Sequence, residues 1–349
     1  MMDTSSRRAF FRNSLLLGSL ACRGGAEDVA NAQGSARGVI DDARNEPVGA
    51  LTPVPALAPG ARIALAAPGG ALAGRTDLDR AMANVRRCGW EPVAGTNALA
   101  RDGYFAGSDQ QRLDDINAAL NDDQIDAIWC LRGGYGLSRI VDTIDYAALT
   151  RRPKAIIGYS DITVLHVAVA AKCNLVTYHG PVARESLLPF SEQSLLRALR
   201  HRDDPVGFAP ESRTVRSGIA QGRLAGGNLT MLAALAGTAF QADLRGTIVV
   251  LEDTGVPVYA IDRMLQQLIM SGSMQSIAGI AFGQLTAMHG STDPAVDRQL
   301  TTTLRNVATT LDVPCLAGLP IGHIDAQWTL PLGRMATLDA DAQTVTLHA

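Results

Sequence analysis

Aromatic residues are scarce in this chain. Phe, Tyr and Trp make up 5% of its 349 residues, so few rings are available to stack on a nucleobase. Cysteine is scarce as well. Cys88, Cys130, Cys173 and Cys315 each stand beside apolar residues, and no pair has the spacing of a metal site. They read as small buried hydrophobes rather than ligands, disulfide halves or nucleophiles. A positive excess is also missing. The net charge is −3 and no basic block follows the N-terminal residues, which argues against a nucleic-acid partner. The apolar run Leu15 to Ala21 is too short to span a bilayer. There is no internal repeat, no P-loop and no dinucleotide fingerprint: in the glycine-rich stretch from Gly134, Arg139 stands where a third glycine would fall.

What remains is a globular composition, 47% hydrophobic and 19% charged, with enough length for two domains with sizeable cores. The first 55 residues read as an export signal and linker. Ser6-Arg7-Arg8-Ala9-Phe10-Phe11-Arg12 resembles a twin-arginine signal, and Ala30-Asn31-Ala32 looks like a cleavage site, so a mature periplasmic protein beginning near Gln33 is expected. Cys22 lacks the branched residue three positions earlier that a lipid anchor would favour. No stable membrane insertion is expected after cleavage, and association as a homodimer is left open. Gly24 to Pro55 is rich in Ala, Gly, Asp and Pro, as linkers are.

From residue 56 to 185 short apolar strands alternate with helices, which implies a Rossmann-like, largely parallel sheet. Ala61 to Ala67 reads as its first strand and ends at Pro68-Gly69-Gly70. Asp109 to Asn121 reads as a helix with Leu113, Ile116 and Leu120 on one face. Ile125 to Leu131 is a strand followed at once by Arg132-Gly133-Gly134-Tyr135-Gly136. Val176 to Pro181 is expected to close this sheet. Residues 186–216 read as a linker, although Glu192 to His201 has helical texture. Residues 217–349 read as a smaller α/β domain of short strands, with helices at Asn228 to Leu235 and Ile261 to Ile269.

The chain is organised around Lys154 to Lys172. Ala155-Ile156-Ile157 suits a buried strand, Gly158-Tyr159-Ser160-Asp161 a tight turn, and Ile162 to Ala171 a packed helix. A serine on a sharp turn between strand and helix makes a nucleophile elbow, with free N–H groups at the helix start to hold an oxyanion. Ile162 replaces the second glycine of G-x-S-x-G, so Ser160 can also be read as a helix cap. A serine nucleophile needs a base and an orienting carboxylate. His323, in the loop Leu319-Pro320-Ile321-Gly322-His323, is the best base. His179 and His289, beside glycines, are alternatives, and His166 lies six residues beyond Ser160, turned away. Glu252 ends the apolar run Ile248 to Leu251, where an unpaired charge is costly. Asp253 beside it is the other choice.

In order, RGGYG, GYSD, YHGP, GGNL at Gly226 to Leu229, LEDTG with DRMLQQL, and GLPIGH with LPLG resemble the LD-carboxypeptidase family, the muramoyltetrapeptide carboxypeptidases. The resemblance spans Ala61 to Leu338. It implies a serine peptidase whose site lies in the cleft between two α/β domains, with Ser160 as nucleophile, Glu252 as orienter, His323 as base, and the backbone N–H groups of Gly134 and Asp161 as oxyanion donors. It implies a murein tetrapeptide substrate, cut before the terminal D-alanine, and no metal or other cofactor. Two alternatives stay open: a related hydrolase of a peptidyl-nucleotide antibiotic, of the microcin-immunity type, and a non-catalytic murein-binding module. Two departures are visible. Pro68-Gly69-Gly70 stands where the family often has P-S-x-P, and Val256 stands near a place where a further glutamate is common.

Overall fold

The computed structural model describes residues 49–200, 207–209, 211–286 and 293–348, which lie in one compact unit. The expected export signal, Cys22, His201 and His289 lie outside the described residues. The chain is packed earlier than the linker reading implies. Leu51 and Val54 are buried, and the Leu51 N–H donates to the Gly333 carbonyl at 2.8 Å.

The first part alternates strand and helix: β1 (Arg62–Ala66), α1 (Arg75–Arg87), β2 (Glu91–Ala94), α2 (Asp109–Asn121), β3 (Ala127–Cys130), α3 (Tyr146–Arg151), β4 (Ala155–Gly158), α4 (Thr163–Cys173) and β5 (Thr177–His179). Strands β1, β3, β4 and β5, short apolar runs buried on both faces, and the part-exposed edge strand β2 pair in parallel in the order β2-β1-β3-β4-β5. β2 and β3 flank β1, so the chain changes direction between β1 and β3. Loops at the carboxyl ends of strands at such a point form a natural crevice. Those loops are Pro68-Gly69-Gly70 and Arg132-Gly133-Gly134.

The sheet does not close at β5. A strand from far along the chain, β12, lies antiparallel beside it and pairs Leu330 with His179 and Leu332 with Thr177. Buried Leu330 and Leu332 drive this pairing, and it leaves β5 with a neighbour on each side.

The stretch read as a linker is also packed. α5 (Pro189–Arg200) buries Leu195 and Leu199, and β7 (Arg213–Arg216) joins the second sheet. With β6 (Gly207–Phe208) the remaining elements are β8 (Ile219–Asn228), α6 (Leu229–Leu235), β9 (Thr247–Thr254), α7 (Val258–Met270), β10 (Gly279–Thr286), α8 (Pro294–Leu311), β11 (Cys315–Ala317), β12 (Leu330–Leu332), β13 (Met335–Asp339) and β14 (Thr344–Leu347). Strands β6 to β14, except β12, form an eight-stranded mixed sheet, β6-β14-β13-β8-β9-β10-β11-β7, parallel at its centre and antiparallel at its edges. Helix α4 lies between the sheets, against α6 and β8, so the elbow helix is part of the seam that joins the two lobes. Cys88, Cys130 and Cys315 are buried, as their apolar neighbours suggest. Cys173 is half-buried at the end of α4. Among the described residues no helix is long and apolar enough to cross a membrane.

Candidate active site

Strand β4 ends at Gly158, and the next residues turn too sharply for either strand or α-helix. Ser160 has φ 65°, a left-handed conformation that a residue with a Cβ adopts at a cost. A single 3-10 turn, Ser160–Ile162, then leads into α4. The turn holds Ser160 part-exposed above the sheet. Behind it the backbone of Gly133 comes so close that a Cβ there would stand 2.8 Å from the Ser160 Cβ. Only glycine lets the β3 loop meet the elbow at this point.

That loop is held by the residue after the serine. The Asp161 carboxylate Oδ2 accepts a hydrogen bond from the Leu137 N–H at 3.0 Å, and the Gly70 N–H donates to the Gly133 carbonyl at 2.7 Å. Burial pushes the Asp161 carboxyl up to about 6, against the lowering pull of the Leu137 N–H and the Arg112 guanidinium. The backbone N–H groups of Gly134 and Asp161 have no acceptor among the described residues, so both are available to a developing oxyanion.

The candidate base, His323 in the loop between β11 and β12, meets its candidate carboxylate on strand β9 of the second sheet. Glu252 lies inside β9, not at its end, and is wholly buried. Its Oε2 accepts a hydrogen bond from His323 Nδ1 at 2.8 Å, and its Oε1 one from Asn228 Nδ2 at 3.2 Å. Gly322, at φ 109°, makes room for it: a Cβ there would stand 2.7 Å from Glu252 Oε2. Burial alone would lower the His323 imidazole, but the hydrogen bond and charge of Glu252, with Glu185 and Asp253 behind, outweigh it and hold the ring above its ordinary value. Donation from Nδ1 to the carboxylate leaves Nε2 as the proton acceptor.

Strand alternation decides between the two acids. Neighbouring residues of β9 face opposite ways. Asp253 therefore turns from His323 to the start of α6, where its Oδ2 accepts from the Thr230 N–H at 2.9 Å and the Thr230 hydroxyl at 2.6 Å. Asp253 holds the start of α6, whose N-cap is Asn228, whereas Glu252 is the partner of His323.

The turn that carries Ser160 meets His323 through Tyr159, whose ring packs edge-on against the imidazole with centroids 4.7 Å apart. The Tyr159 hydroxyl donates to Glu185 Oε1 at 2.6 Å. Asn228 also bridges the lobes: its N–H donates to Thr163 Oγ1 at 2.9 Å, while its side chain serves Glu252. Ser160 itself makes no hydrogen bond to His323 among the described residues, and such bonds often tighten only when substrate is bound. Tyr159, Glu185 and Asn228 were not singled out from the sequence. Asn228 stood in the GGNL motif, but nothing in spacing tied it to Glu252.

His166 and His179 are structural. His166 is not turned away from the elbow: its Nε2 lies 2.8 Å from the Gly158 carbonyl, beneath the turn. His179 is completely buried with neither ring nitrogen hydrogen-bonded. Burial pushes His166 down to about 4 and His179 down to about 3. A cavity of about 190 Å³ beside α4 is lined by His166, Arg223 and Asp243 and by none of Ser160, Glu252 and His323. Depth alone does not locate this site. Among the described residues no group of three or more His, Cys, Asp or Glu could hold a metal ion.

Comparison with known proteins shows the family. Residues 63–180 match the LD-carboxypeptidase N-terminal domain, and residues 221–338 match the LD-carboxypeptidase C-terminal domain. The chain is 33% identical to the murein tetrapeptide carboxypeptidase of Pseudomonas aeruginosa, over 80% of this chain and 94% of that protein. It is similar to the crystal structure of a muramoyltetrapeptide carboxypeptidase from Oxalobacter formigenes, with TM-score 0.73, 30% identity and coverage of 82% and 97%. The microcin C7 self-immunity protein MccF shares the fold, with TM-score 0.76 and 23% identity over 85% of this chain and 98% of MccF.

Proposed function

The chain belongs to the LD-carboxypeptidase family of serine peptidases, and we propose that it hydrolyses the L,D-peptide bond before the terminal D-alanine of murein tetrapeptides. The observation that carries the mechanism is the 2.8 Å bond from His323 Nδ1 to buried Glu252, on a ring that packs against the residue preceding Ser160. Ser160 Oγ attacks the scissile carbonyl as His323 Nε2 takes its proton. Glu252 fixes the tautomer and stabilises the imidazolium. The N–H groups of Gly134 and Asp161 hold the oxyanion. Collapse returns the proton to the departing amine of D-alanine, leaving an acyl-enzyme on Ser160. Water activated by the same histidine then hydrolyses the ester.

Mass spectrometry of products from murein tri-, tetra- and pentapeptides tests this reading. Release of D-alanine from the tetrapeptide by the natural protein and not by Ser160→Ala is the expected result. A second reading has one observation in its favour. Tyr104 and Tyr135, 64% and 44% exposed, stand beside the Gly134 loop with ring centroids 6.0 Å apart, a surface on which a base could stack. Faster cleavage of a peptidyl-nucleotide conjugate than of any murein peptide would favour that reading. The enzyme acts in the periplasm after removal of the signal at Ala30-Asn31-Ala32. N-terminal sequencing of exported protein should start near Gln33, and a full-length cytoplasmic product would refute the address.

A further inference from the structure

Two arginines, Arg132 and Arg101, hold the loop beside Gly134, a third, Arg184, follows Ala183, whose N–H bonds the Cys130 carbonyl at the end of β3, and none of the three forms an ion pair among the described residues. Arg132 lies over the Gly70 loop: its Nη1 donates to the Ala71 carbonyl, and its Nε stands 3.4 and 3.7 Å from where a Cβ on Gly70 or Gly134 would be. That Nε–H has no acceptor among the described residues. Arg101, exposed, donates through Nη2 to the Leu72 carbonyl of the same loop. Arg184, part-buried, follows β5 and carries a buried Nε with no partner. The nearby acids are already engaged. Asp77 accepts from the Ala73 N–H at 2.9 Å and pairs with Arg80 at 3.7 Å, and Glu185 takes the Tyr159 hydroxyl.

Like charges gathered in a part-buried place repel one another unless an anion joins them. Burial holds the Arg132 guanidinium below its ordinary value, with Arg184 and Arg101 adding to the effect and Asp77 opposing it. Backbone carbonyls fix the heads of Arg132 and Arg101 without neutralising them. Guanidinium N–H groups suit a carboxylate, which accepts two parallel donors. A carboxypeptidase must recognise a free terminal carboxylate one residue beyond the bond it cuts, and this cluster stands beside a proposed oxyanion donor.

Resting on the reading of the chain as a carboxypeptidase, we infer that Arg132 and Arg184, with Arg101 at the rim, form the subsite that binds the C-terminal carboxylate of the substrate. This makes exopeptidase specificity a property of the crevice between β1, β3 and β5.

The test compares murein tetrapeptide with its C-terminal amide, using the natural protein, Arg132→Gln, Arg184→Gln and Arg132→Lys. The natural protein should favour the acid by about 10- to 100-fold in kcat/KM, the scale of hydrogen bonds to charged groups. In Arg132→Gln and Arg184→Gln that preference should collapse, mainly through a higher KM for the acid, while the amide is little affected. Arg132→Lys should restore part of it. Because each variant is compared with itself on two substrates, general damage to the loop cancels. An unchanged acid-to-amide ratio in both Gln variants, or a ratio near one in the natural protein, would overturn the assignment. If the natural protein cleaves neither peptide, the substrate reading fails and the subsite is judged on binding. N-acetyl-D-alanine should then protect Arg132 from phenylglyoxal, and N-acetyl-D-alaninamide should not. Equal modification in both would sink the subsite independently.

Discussion

Ser160 combines a proposed chemical role with backbone strain, and the two can be separated by substitution. Ser160→Ala and Ser160→Gly should both lose turnover, by on the order of 10³-fold or more. They should differ in stability. Alanine keeps the Cβ that φ 65° disfavours, while glycine does not, so Ser160→Gly should be about 1 kcal/mol more stable than Ser160→Ala in denaturant melts. Equal stabilities would mean that the turn is not strained.

Glu252 and Asp253 offer a sharper contrast. Glu252→Gln removes the carboxylate that holds His323 Nδ1 and should cost turnover by roughly the 10⁴-fold known for the analogous change in a Ser-His-Asp triad. It should also move the acid limb of the pH profile. His323 must be neutral to act as a base, so in the natural protein kcat/KM should rise with pH through a value above 6.5, the ordinary value from which the ring is raised. Without the Glu252 charge, burial prevails and the limb should shift to lower pH. Asp253→Asn should move the profile in the same direction but far less, since Asp253 is the last-ranked of the charges that raise His323, and should weaken the bonds to the Thr230 N–H and hydroxyl at the start of α6, lowering stability by about 1–2 kcal/mol. A profile that Glu252→Gln leaves unmoved would remove that residue from the triad.

Elements were legible where local chemistry and tertiary packing agree. Helix α2 has the limits that the face of Leu113, Ile116 and Leu120 suggests, and a capping box of Ser108 and Gln111 fixes its start. The elbow was read from three residues of strand, a polar turn and an apolar helix, all of which fold as their local preferences suggest. Strand β9 runs two acids further than its apolar residues do, because Asn228, Thr230 and His323 satisfy Glu252 and Asp253 from outside the strand. Those partners are invisible in a local window. Helix α8 was missed: its threonines lower helix propensity, although Asp293 and Pro294 form a start signal that could have been used. Strand β7 was missed because a sheet-edge strand rich in arginine looks like a linker. The triad partners were assigned through motif order. Spacing alone offered several histidines and two adjacent acids.

At the scale of the whole molecule, buried titratable groups tie stability to acidity. His166 and His179 titrate near 6.5 when unfolded but are pushed down to about 4 and about 3 in the fold. Their depressed values give stability above pH 6.5 that is lost as pH falls toward 4 and 3. Asp161 acts in the opposite sense. Raised to about 6, it stabilises at low pH and loses that contribution as pH rises from about 4 to 6. Between pH 4 and 6 these three groups leave the unfolded chain with about one extra proton, so their combined contribution to stability should rise by about 1.4 kcal/mol per pH unit. His179→Phe should flatten that slope, since neither nitrogen has a partner to lose. Urea melts from pH 4.5 to 7 give the slope, and an equal slope in the variant would contradict the assignment.

The antiparallel pairing of β12 with β5 also sets an order of events during synthesis. The first sheet has all its parallel strands by His179, yet its last strand is made some 150 residues later, at Leu330–Leu332. Until then β5 presents an open edge to other chains in the cell. The delay also makes the sheet's final contact a long-range one, which slows folding. A ribosome-released fragment ending before Leu330 should therefore self-associate through that edge even though it contains Ser160. The full chain diluted from denaturant should bury β5 in its slowest phase, measurable as late amide protection at Thr177 and His179.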